Sequence, residues 1–355
     1  MVLLTTWMCV WRDQLPPFVL QMIWEDTMKR PHRRQFLHLT AGATALPFAP
    51  HVARAQAYPT QPVRILVGFT PGVAPDITGR LLADQFSAAW GKPVVVENVN
   101  GAGGNVATER VARAAPDGYT LLMGGNSSLV FSPSIYDKLP YDPIKDFAPI
   151  TQVFIAANVL VVHNDVPAKT LPELIALARA QPGQLTYAHA GIGTSQHLGA
   201  ELLKFLEKID IQPVAYRGTT ALLPDLLSGR VTMSFANVAN VASLVKEGKL
   251  RGFAVSSLKR SAVAPDLPTM IELGYPGFEA VPWFGLMAPA GTSSAIVDKI
   301  YRESLRVMAM PEARKSLLDM GLDLVGSTPA EFAATIEREI PQWAKVIKFA
   351  NIKPE

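Results

Sequence analysis

A loop at residues 69–80 combines small, polar and acidic residues in a pattern typical of anion binding. Thr70, Gly72 and Asp76 lie between an apolar, strand-like run at 63–68 and a predicted helix at 77–89. A strand, a glycine-containing turn and a helix in this order direct backbone N–H groups at a negative ligand. Asp76 either caps the helix or orients ligand-bound water. An ordinary βα turn capped by aspartate is the alternative interpretation of this loop.

A second loop of the same design follows about 120 residues later. Gly191 and Gly193 permit close backbone approach, and Thr194 and Ser195 place hydroxyl groups at the start of a predicted helix. A plain glycine turn with a Ser/Thr cap is the alternative here. The loop matches neither a Walker motif nor the dinucleotide-binding glycine pattern.

Two helix N-termini that face each other across a hinge would hold a small molecule with negative groups at both ends. Backbone N–H donors and helix dipoles bind carboxylates without a formal positive charge. Both loops contain few basic residues, which agrees with this mode of binding. The predicted ligand is therefore a small dicarboxylate or a related organic acid.

The residue types needed for catalysis are sparse. His163, His189 and His197 are the histidines that follow residue 57, and their spacing suggests no metal site. Ser195 lacks the Gly-x-Ser-x-Gly elbow, and His197 is better interpreted as a first-turn helix residue than as a base. A hydrolase is the enzymatic alternative, but no nucleophile, base and orienting group are assembled. We expect no enzyme activity, no metal and no cofactor.

Four further residues lie near predicted strand ends. Arg217 follows one strand and is either a ligand clamp or part of a structural ion pair. Asn237 follows another strand and faces the expected cleft. Trp283 and Phe284 either line the cleft or fill the core, and we favour the core because aromatic residues mostly serve packing.

The N-terminal segment resembles an export signal. A twin-arginine pattern at Arg33 and Arg34 precedes a weakly apolar stretch at 39–48, with small-x-small cleavage sites after Ala55 and Ala57. Both the twin-arginine and the general secretion route stay open. Translation is predicted to begin at Met28. The expected location of the mature protein is the periplasm.

Removal of residues 1–57 leaves a chain of balanced charge. The segment contains six of the 33 basic and three of the 30 acidic residues, so 27 of each remain. This balance, without a basic cluster, gives no support to nucleic-acid or membrane-surface binding. The one cysteine, Cys9, also lies in this segment, which excludes disulfides and thiolate chemistry in the mature form.

From residue 58 the chain alternates predicted strands and helices, which indicates an α/β protein with mainly parallel sheets. A long apolar run at 147–163 is interpreted as two strands with a domain crossing between them. A later strand at 280–288 is expected to return to the first domain. We predict one domain from 58–157 and 278–355 and a second from 158–277, with a ligand cleft between them. The last helix, 329–349, is expected to break near Pro341.

An ordered set of motifs over 58–352 resembles the tripartite tricarboxylate transporter substrate-binding receptors, also called the Bug receptor family. None of these motifs is specific alone. They are Tyr58-Pro59, Pro62-Val63-Arg64, the loop 70–76, Val94-Val95-Val96-Glu97-Asn98, Gly101-Ala102-Gly103-Gly104-Asn105, Pro116-Asp117-Gly118-Tyr119-Thr120-Leu121-Leu122, Tyr216-Arg217-Gly218 and Ala288-Pro289-Ala290-Gly291.

The resemblance implies a two-domain, type II-like periplasmic binding-protein fold that captures a small organic acid, partly through bridging water. Carried over by position, it implies a set of ligand-binding residues: Thr70, Gly72, Val73, Ala74, Asp76, Gly193, Thr194 and Ser195, with Asn126, Ser127 and Asn237 as weaker candidates. Val73 departs from the Gly-Gly usual after the proline, and Asn237 follows Ala236 where many members have aspartate. Both departures suggest a ligand other than the simplest dicarboxylates.

The implied function is an extracytoplasmic, monomeric receptor that delivers a carboxylate to the subunits of a membrane transporter. A receptor that presents its ligand to a membrane sensor in signalling is the alternative, and the sequence does not separate the two.

Overall fold

The structure is a computed structural model that describes residues 58–216 and 218–354. The predicted start codon, export signal and cleavage sites lie outside the described residues, and so does Arg217. Within the described ranges, no helix is long and apolar enough to cross a lipid bilayer.

Strands and helices alternate along the described chain. The strands are β1 (Val63–Val67), β2 (Val94–Asn98), β3 (Thr120–Gly125), β4 (Phe147–Ala156), β5 (Asn158–Val162), β6 (Thr186–His189), β7 (Gln212–Ala215), β8 (Met233–Asn237), β9 (Arg251–Val255), β10 (Trp283–Pro289) and β11 (Leu322–Leu324). The helices are α1 (Ala74–Trp90), α2 (Asn105–Ala112), α3 (Ser132–Ile135), α4 (Leu171–Ala180), α5 (Ser195–Glu207), α6 (Thr219–Leu227), α7 (Val238–Lys246), α8 (Ser294–Ala309), α9 (Pro311–Asp319) and α10 (Pro329–Phe349).

These strands form two sheets. The first sheet has the spatial order β11-β4-β10-β3-β1-β2, and the second has the order β7-β6-β8-β5-β9. In β1, Val63, Ile65, Leu66 and Val67 are buried and Arg64 is exposed. A strand that is buried on both faces is typical of the centre of a sheet covered by helices.

Both sheets are mixed rather than mainly parallel. β1 pairs in parallel with β2 and β3, and β6 pairs in parallel with β7 and β8, as the helical connections require. β4, β5, β9 and β10 make antiparallel pairs. Each of these pairs contains β5 or β10, which enter their sheets directly from the points where the chain passes from one sheet to the other. These two strands do not follow the helical connections on which the expectation of parallel sheets rested.

The chain crosses between the sheets twice. The predicted split of the apolar run is correct, because β4 ends at Ala156 and β5 begins at Asn158 in the other sheet. The second crossing lies between β9 and β10, where the Ala280 N–H donates to the Ser256 carbonyl at 3.1 Å. The Ala156 N–H donates to the Pro282 carbonyl at 2.9 Å, which holds the two crossings side by side.

Two details of the C-terminal region differ from expectation. α10 is one helix that contains Pro341, without the predicted break. It begins with a capping box in which Thr328 and Glu331 satisfy each other's backbone N–H groups. β11 was not predicted, because a strand of three residues carries too little alternation to be recognised.

One continuous hydrophobic core joins the two sheets. It includes Leu122 of the first sheet, Phe235 of the second, and Trp343 of α10. A second cluster, which contains Ile65 and Phe86, lies on the other side of the first sheet. Residues of the two sheets therefore exclude water together near the crossings.

Candidate functional site

The first loop is organised by Asp76, which is only 2% exposed. Its carboxylate accepts hydrogen bonds from the Gly72 N–H at 2.8 Å and from the Asn98 side chain at 2.9 Å. Arg80, one helical turn later, forms an ion pair with it at 2.9 Å. The Asn98 amide also donates to the Phe69 carbonyl at 3.0 Å, so β2 holds the loop from the other side.

These contacts keep Asp76 ionised. Burial opposes the charged form, but hydrogen bonds from Arg80, Gly72 and Asn98 outweigh it, and the pKa of the carboxyl lies below its ordinary value. Asp76 is not the N-cap of α1, a position that Val73 occupies without a side-chain cap. Its carboxylate lies at the first turn of the helix, where a negative charge interacts favourably with the positive end of the helix dipole.

The start of α1 retains unused backbone donors. Val73 is extended at φ −89° and ψ 163°, and its side chain is 38% exposed. Among the described residues, nothing accepts a hydrogen bond from the Val73 or Ala74 N–H. The predicted residues Thr70 and Gly72 are exposed beside them, with the Gly72 N–H already bound to Asp76.

The second loop satisfies more of its own donors than the sequence suggested. Thr194 is the N-cap of α5, and its hydroxyl accepts from the His197 N–H at 3.3 Å and donates to the Gly191 carbonyl at 2.8 Å. The Gly193 N–H, expected to face a ligand, donates instead to His197 Nδ1 at 3.3 Å. Gly193 therefore shapes the loop with a φ of +70° rather than offering its amide.

His197 acts as a structural acceptor in this loop. Its ring stacks on that of His189 with centroids 4.2 Å apart. Burial, helped by the positive charges that His189 and Lys204 would place nearby, lowers the pKa of His197 to about 3. The ring is therefore neutral at physiological pH, with Nδ1 as the acceptor and the proton on Nε2.

Ser195, the first residue of α5, is 6% exposed and has unused donors. Its hydroxyl oxygen accepts from the Asn158 side chain at 3.1 Å. In the part of the chain that the structure describes, neither its hydroxyl proton nor its backbone N–H has an acceptor. A buried helix start with two such donors is suited to an anionic oxygen.

Candidate residues of the two sheets meet at the second crossing. Asn126, which follows β3, donates from its buried side chain to the Val281 carbonyl at 2.7 Å. Asn158, which begins β5, donates to the carbonyl of the adjacent Ala280 at 3.0 Å. Asn126 directly, and Ser195 through Asn158, are thereby tied to adjacent residues of the second crossing.

The other candidates make local contacts. The Ser127 hydroxyl donates to the Gly103 carbonyl at 2.7 Å. Asn237 caps α7, because its side-chain oxygen accepts from the Ala239 N–H at 3.0 Å. Asn237 is also the register partner of Asn158 in the second sheet. A role in ligand binding stays a prediction for both Ser127 and Asn237.

The sequence interpretation missed two functional candidates, Asn98 and Asn158. Both are asparagines at strand ends, and polar residues at that position are the signal that could have identified them. Trp283 is 1% exposed and donates from its indole N–H to Glu339 at 2.8 Å, so its predicted place in the core is correct. Phe284 packs on Phe154 with ring centroids 5.3 Å apart.

A separate cavity of about 610 Å³ contains none of the predicted ligand-binding residues. Its lining includes Glu279, Arg314, Asp323, Arg338 and Glu339. Burial, together with the nearby Glu279, raises the pKa of the Glu339 carboxyl to about 7 against the opposing effect of the Trp283 hydrogen bond. No group of His, Cys, Asp and Glu among the described residues is arranged to hold a metal ion.

The chain has the fold of the periplasmic binding proteins. It contains two mixed sheets flanked by helices, the chain crosses between the sheets twice, and a helix begins at each candidate loop. The structure of the periplasmic binding protein BugD is similar to this chain, with a TM-score of 0.68 and 34% identity over 84% of this chain and 100% of BugD. The structure of Rpa4515 from R. palustris with adipate has a TM-score of 0.71 and 33% identity over 84% of this chain and 100% of that protein.

Sequence comparison shows the family to which the chain belongs. The model described as tripartite tricarboxylate transporter family receptor matches residues 78–352. Protein BugT of Bordetella pertussis is 36% identical over 303 residues, which cover 84% of this chain and 92% of BugT. The chain belongs to the tripartite tricarboxylate transporter family receptors, as its motifs suggested, and such receptors bind solutes.

Proposed function

We propose that this protein is a periplasmic receptor that binds a small carboxylated organic acid and delivers it to a tripartite tricarboxylate-type membrane transporter. The observation that carries the proposal is the start of α5, where the buried Ser195 holds an N–H and a hydroxyl proton that have no acceptors among the described residues. A carboxylate oxygen satisfies both donors, and the positive end of the α5 dipole favours its charge.

A second anionic group of the same ligand is assigned to the start of α1. The Val73 and Ala74 N–H groups lie at that helix end, and Asp76 fixes the loop before it through Gly72. The Asp76 carboxylate is fully engaged with Arg80 and Asn98, so it shapes the loop rather than repelling the ligand directly. The exposed hydroxyl of Thr70 completes the proposed contacts. The Thr194 and Ser127 hydroxyls already donate to the Gly191 and Gly103 carbonyls, so they shape the site.

The proposed binding motion is closure of two domains, 58–157 with 278–355 and 158–277, about the two crossings. Support comes from the short connection at Ala157 and from the paired crossing segments, since hinges are usually a few residues between rigid elements. The Rpa4515 structure with adipate supports a carboxylate as the ligand class. The proposed receptor acts as a monomer after removal of its export signal and performs no turnover.

A thermal-shift screen of the purified protein tests this function. A ligand that binds only the native state raises the melting temperature by mass action, so a micromolar binder is visible at millimolar concentration. We expect a rise with one or more mono-, di- or tricarboxylates. A rise with neutral or cationic compounds and with no acid would contradict the proposal.

A further inference from the structure

Asn158 connects the candidate ligand site to both crossings. Its side-chain nitrogen lies 3.1 Å from the Ser195 hydroxyl oxygen and 3.0 Å from the Ala280 carbonyl oxygen. Its backbone N–H donates to the Ser256 hydroxyl at 3.2 Å, and that hydroxyl donates to the same Ala280 carbonyl at 2.9 Å. One residue therefore contacts the first crossing, the second crossing and the start of α5.

The Ala280 contact determines which way the Asn158 amide faces. A backbone carbonyl can only accept, so the side-chain atom beside Ala280 must be the nitrogen. The same nitrogen then donates its second hydrogen to Ser195. The Ser195 oxygen is thus used as an acceptor, and its single proton remains available to an acceptor outside the network.

The side-chain oxygen of Asn158 lies in an unfavourable environment. Asn158 is 1% exposed, and its side-chain oxygen is buried without a hydrogen-bond donor among the described residues. An unpaired buried carbonyl oxygen is unfavourable, and a small apolar residue would avoid its cost. We explain the asparagine at this position by the hydrogen bonds that its side-chain nitrogen donates to Ser195 and Ala280.

We propose that Asn158 is a positioning residue that fixes the Ser195 hydroxyl as a hydrogen-bond donor to the ligand and couples this contact to the crossings. This inference rests on the proposed function, because it concerns the same site. The ligand group at Ser195 must then be an acceptor, such as a carboxylate oxygen, and a ligand that can only donate there is rejected. Asn158 does not itself need to contact the ligand.

A double-mutant cycle in ligand affinity tests the proposal. Calorimetry with an acid found by screening succinate, malate, adipate and citrate gives Kd for the wild type, Asn158→Ala, Ser195→Ala and the double variant. We expect each single variant to bind about tenfold more weakly and the double variant to be no weaker than Ser195→Ala, because Asn158 acts through that hydroxyl. Fully additive losses, or an unchanged Kd in Asn158→Ala, would overturn the proposal.

Two further variants separate positioning from packing. Asn158→Asp keeps the shape of the side chain but replaces the donor by a carboxylate that takes the Ser195 proton, so it must bind the acid at least as weakly as Asn158→Ala. Ser234→Ala is the control, because the buried Ser234 hydroxyl donates to the Ala188 carbonyl at 2.9 Å and, among the described residues, bonds neither Asn158 nor Ser195. This variant must retain wild-type Kd. An Asn158→Asp variant with wild-type affinity would overturn the proposal.

The inference and the proposed function can fail separately. If the wild type binds no acid in the screen, the proposed function fails and the ligand role of Asn158 fails with it. If the wild type binds and Asn158→Ala binds equally well, only the inference fails. Hydrogen exchange without ligand adds an independent readout: we expect faster exchange at the Ala280 and Ala156 amides in Asn158→Ala, and unchanged exchange contradicts the coupling to the crossings.

Discussion

At the residue scale, Asp76 shows how a carboxylate can build an anion site without binding the anion. Its ion pair with Arg80 balances its negative charge, and its oxygens also accept hydrogen bonds from Gly72 and Asn98 within the loop. The residue lies in the first turn of α1 and is buried, whereas the sequence analysis placed it in the loop before that helix. Its replacement should therefore affect stability as well as binding.

We predict that Asp76→Asn weakens acid binding by about tenfold and lowers the free energy of unfolding by about 3 kcal/mol, because two charge-assisted bonds are lost. Calorimetry and chemical unfolding give the two values. Glu109→Gln is the matched control, since Glu109 and Arg113 form an ion pair of the same spacing on α2. Equal effects of the two substitutions on affinity would show that Asp76 has no special role in the loop.

At the scale of elements, the second loop depends on backbone geometry that only glycine adopts readily. Gly193 has a φ of +70°, and a Cβ there would lie 3.0 Å from the Ile135 side chain, which belongs to α3. The loop therefore packs against an element that follows the first sheet's β3. A side chain at this position would disturb both the loop and its neighbour.

We predict that Gly193→Ala costs about 1 to 2 kcal/mol of stability from the left-handed backbone and also weakens acid binding. Gly248→Ala is the control, because Gly248 has a φ of +69° and no described residue beyond its chain neighbours lies within 4 Å of the added Cβ. Gly248→Ala should lose stability from the left-handed backbone alone and keep its affinity for the acid unchanged. The account of this loop is wrong if Gly193→Ala binds the acid as tightly as Gly248→Ala does.

The order of strands and helices could be predicted from the sequence. The hydrogen bonds that the loop and site residues make could not. Buried apolar runs such as β1 and the β4–β5 pair carry a strong local signal, and both were predicted within a few residues. The Gly193 bond to His197 depends on a ring held by the stacked His189 and on burial. Asn158 was missed because its partners are far away in sequence, up to Ala280.

At the scale of the whole molecule, the crossings and α10 share a buried acidic group. Glu339 of α10 is bound to Trp283 at the start of β10, and Glu279 and Arg338 lie in the same cavity lining. The pKa of Glu339 is about 7 in the folded protein against an ordinary value of 4.5. Its ionisation is therefore linked to folding.

The sign of this linkage follows from the proton balance. Between pH 4.5 and about 7 the folded state retains the Glu339 proton while the unfolded state releases it, so stability falls as pH rises. We predict that Glu339→Gln removes a stability loss on the order of 3 kcal/mol between pH 4.5 and 8.

The difference in unfolding free energy between Glu339→Gln and the wild type, measured by urea unfolding across this pH range, isolates the effect. His197 acts in the opposite direction, because its pKa is lowered to about 3, but it is present in both proteins and cancels. A difference that does not change with pH would contradict the raised pKa of Glu339.

The central claim is that a carboxylate binds at the start of α5, and a crystal structure with the acid found by screening tests it most directly. We predict a carboxylate oxygen within hydrogen-bond distance of the Ser195 N–H or hydroxyl, and a second anionic group near the Val73 and Ala74 amides. An acid bound instead in the 610 Å³ cavity beside Arg314 and Arg338, with Ser195 uncontacted, would contradict the account.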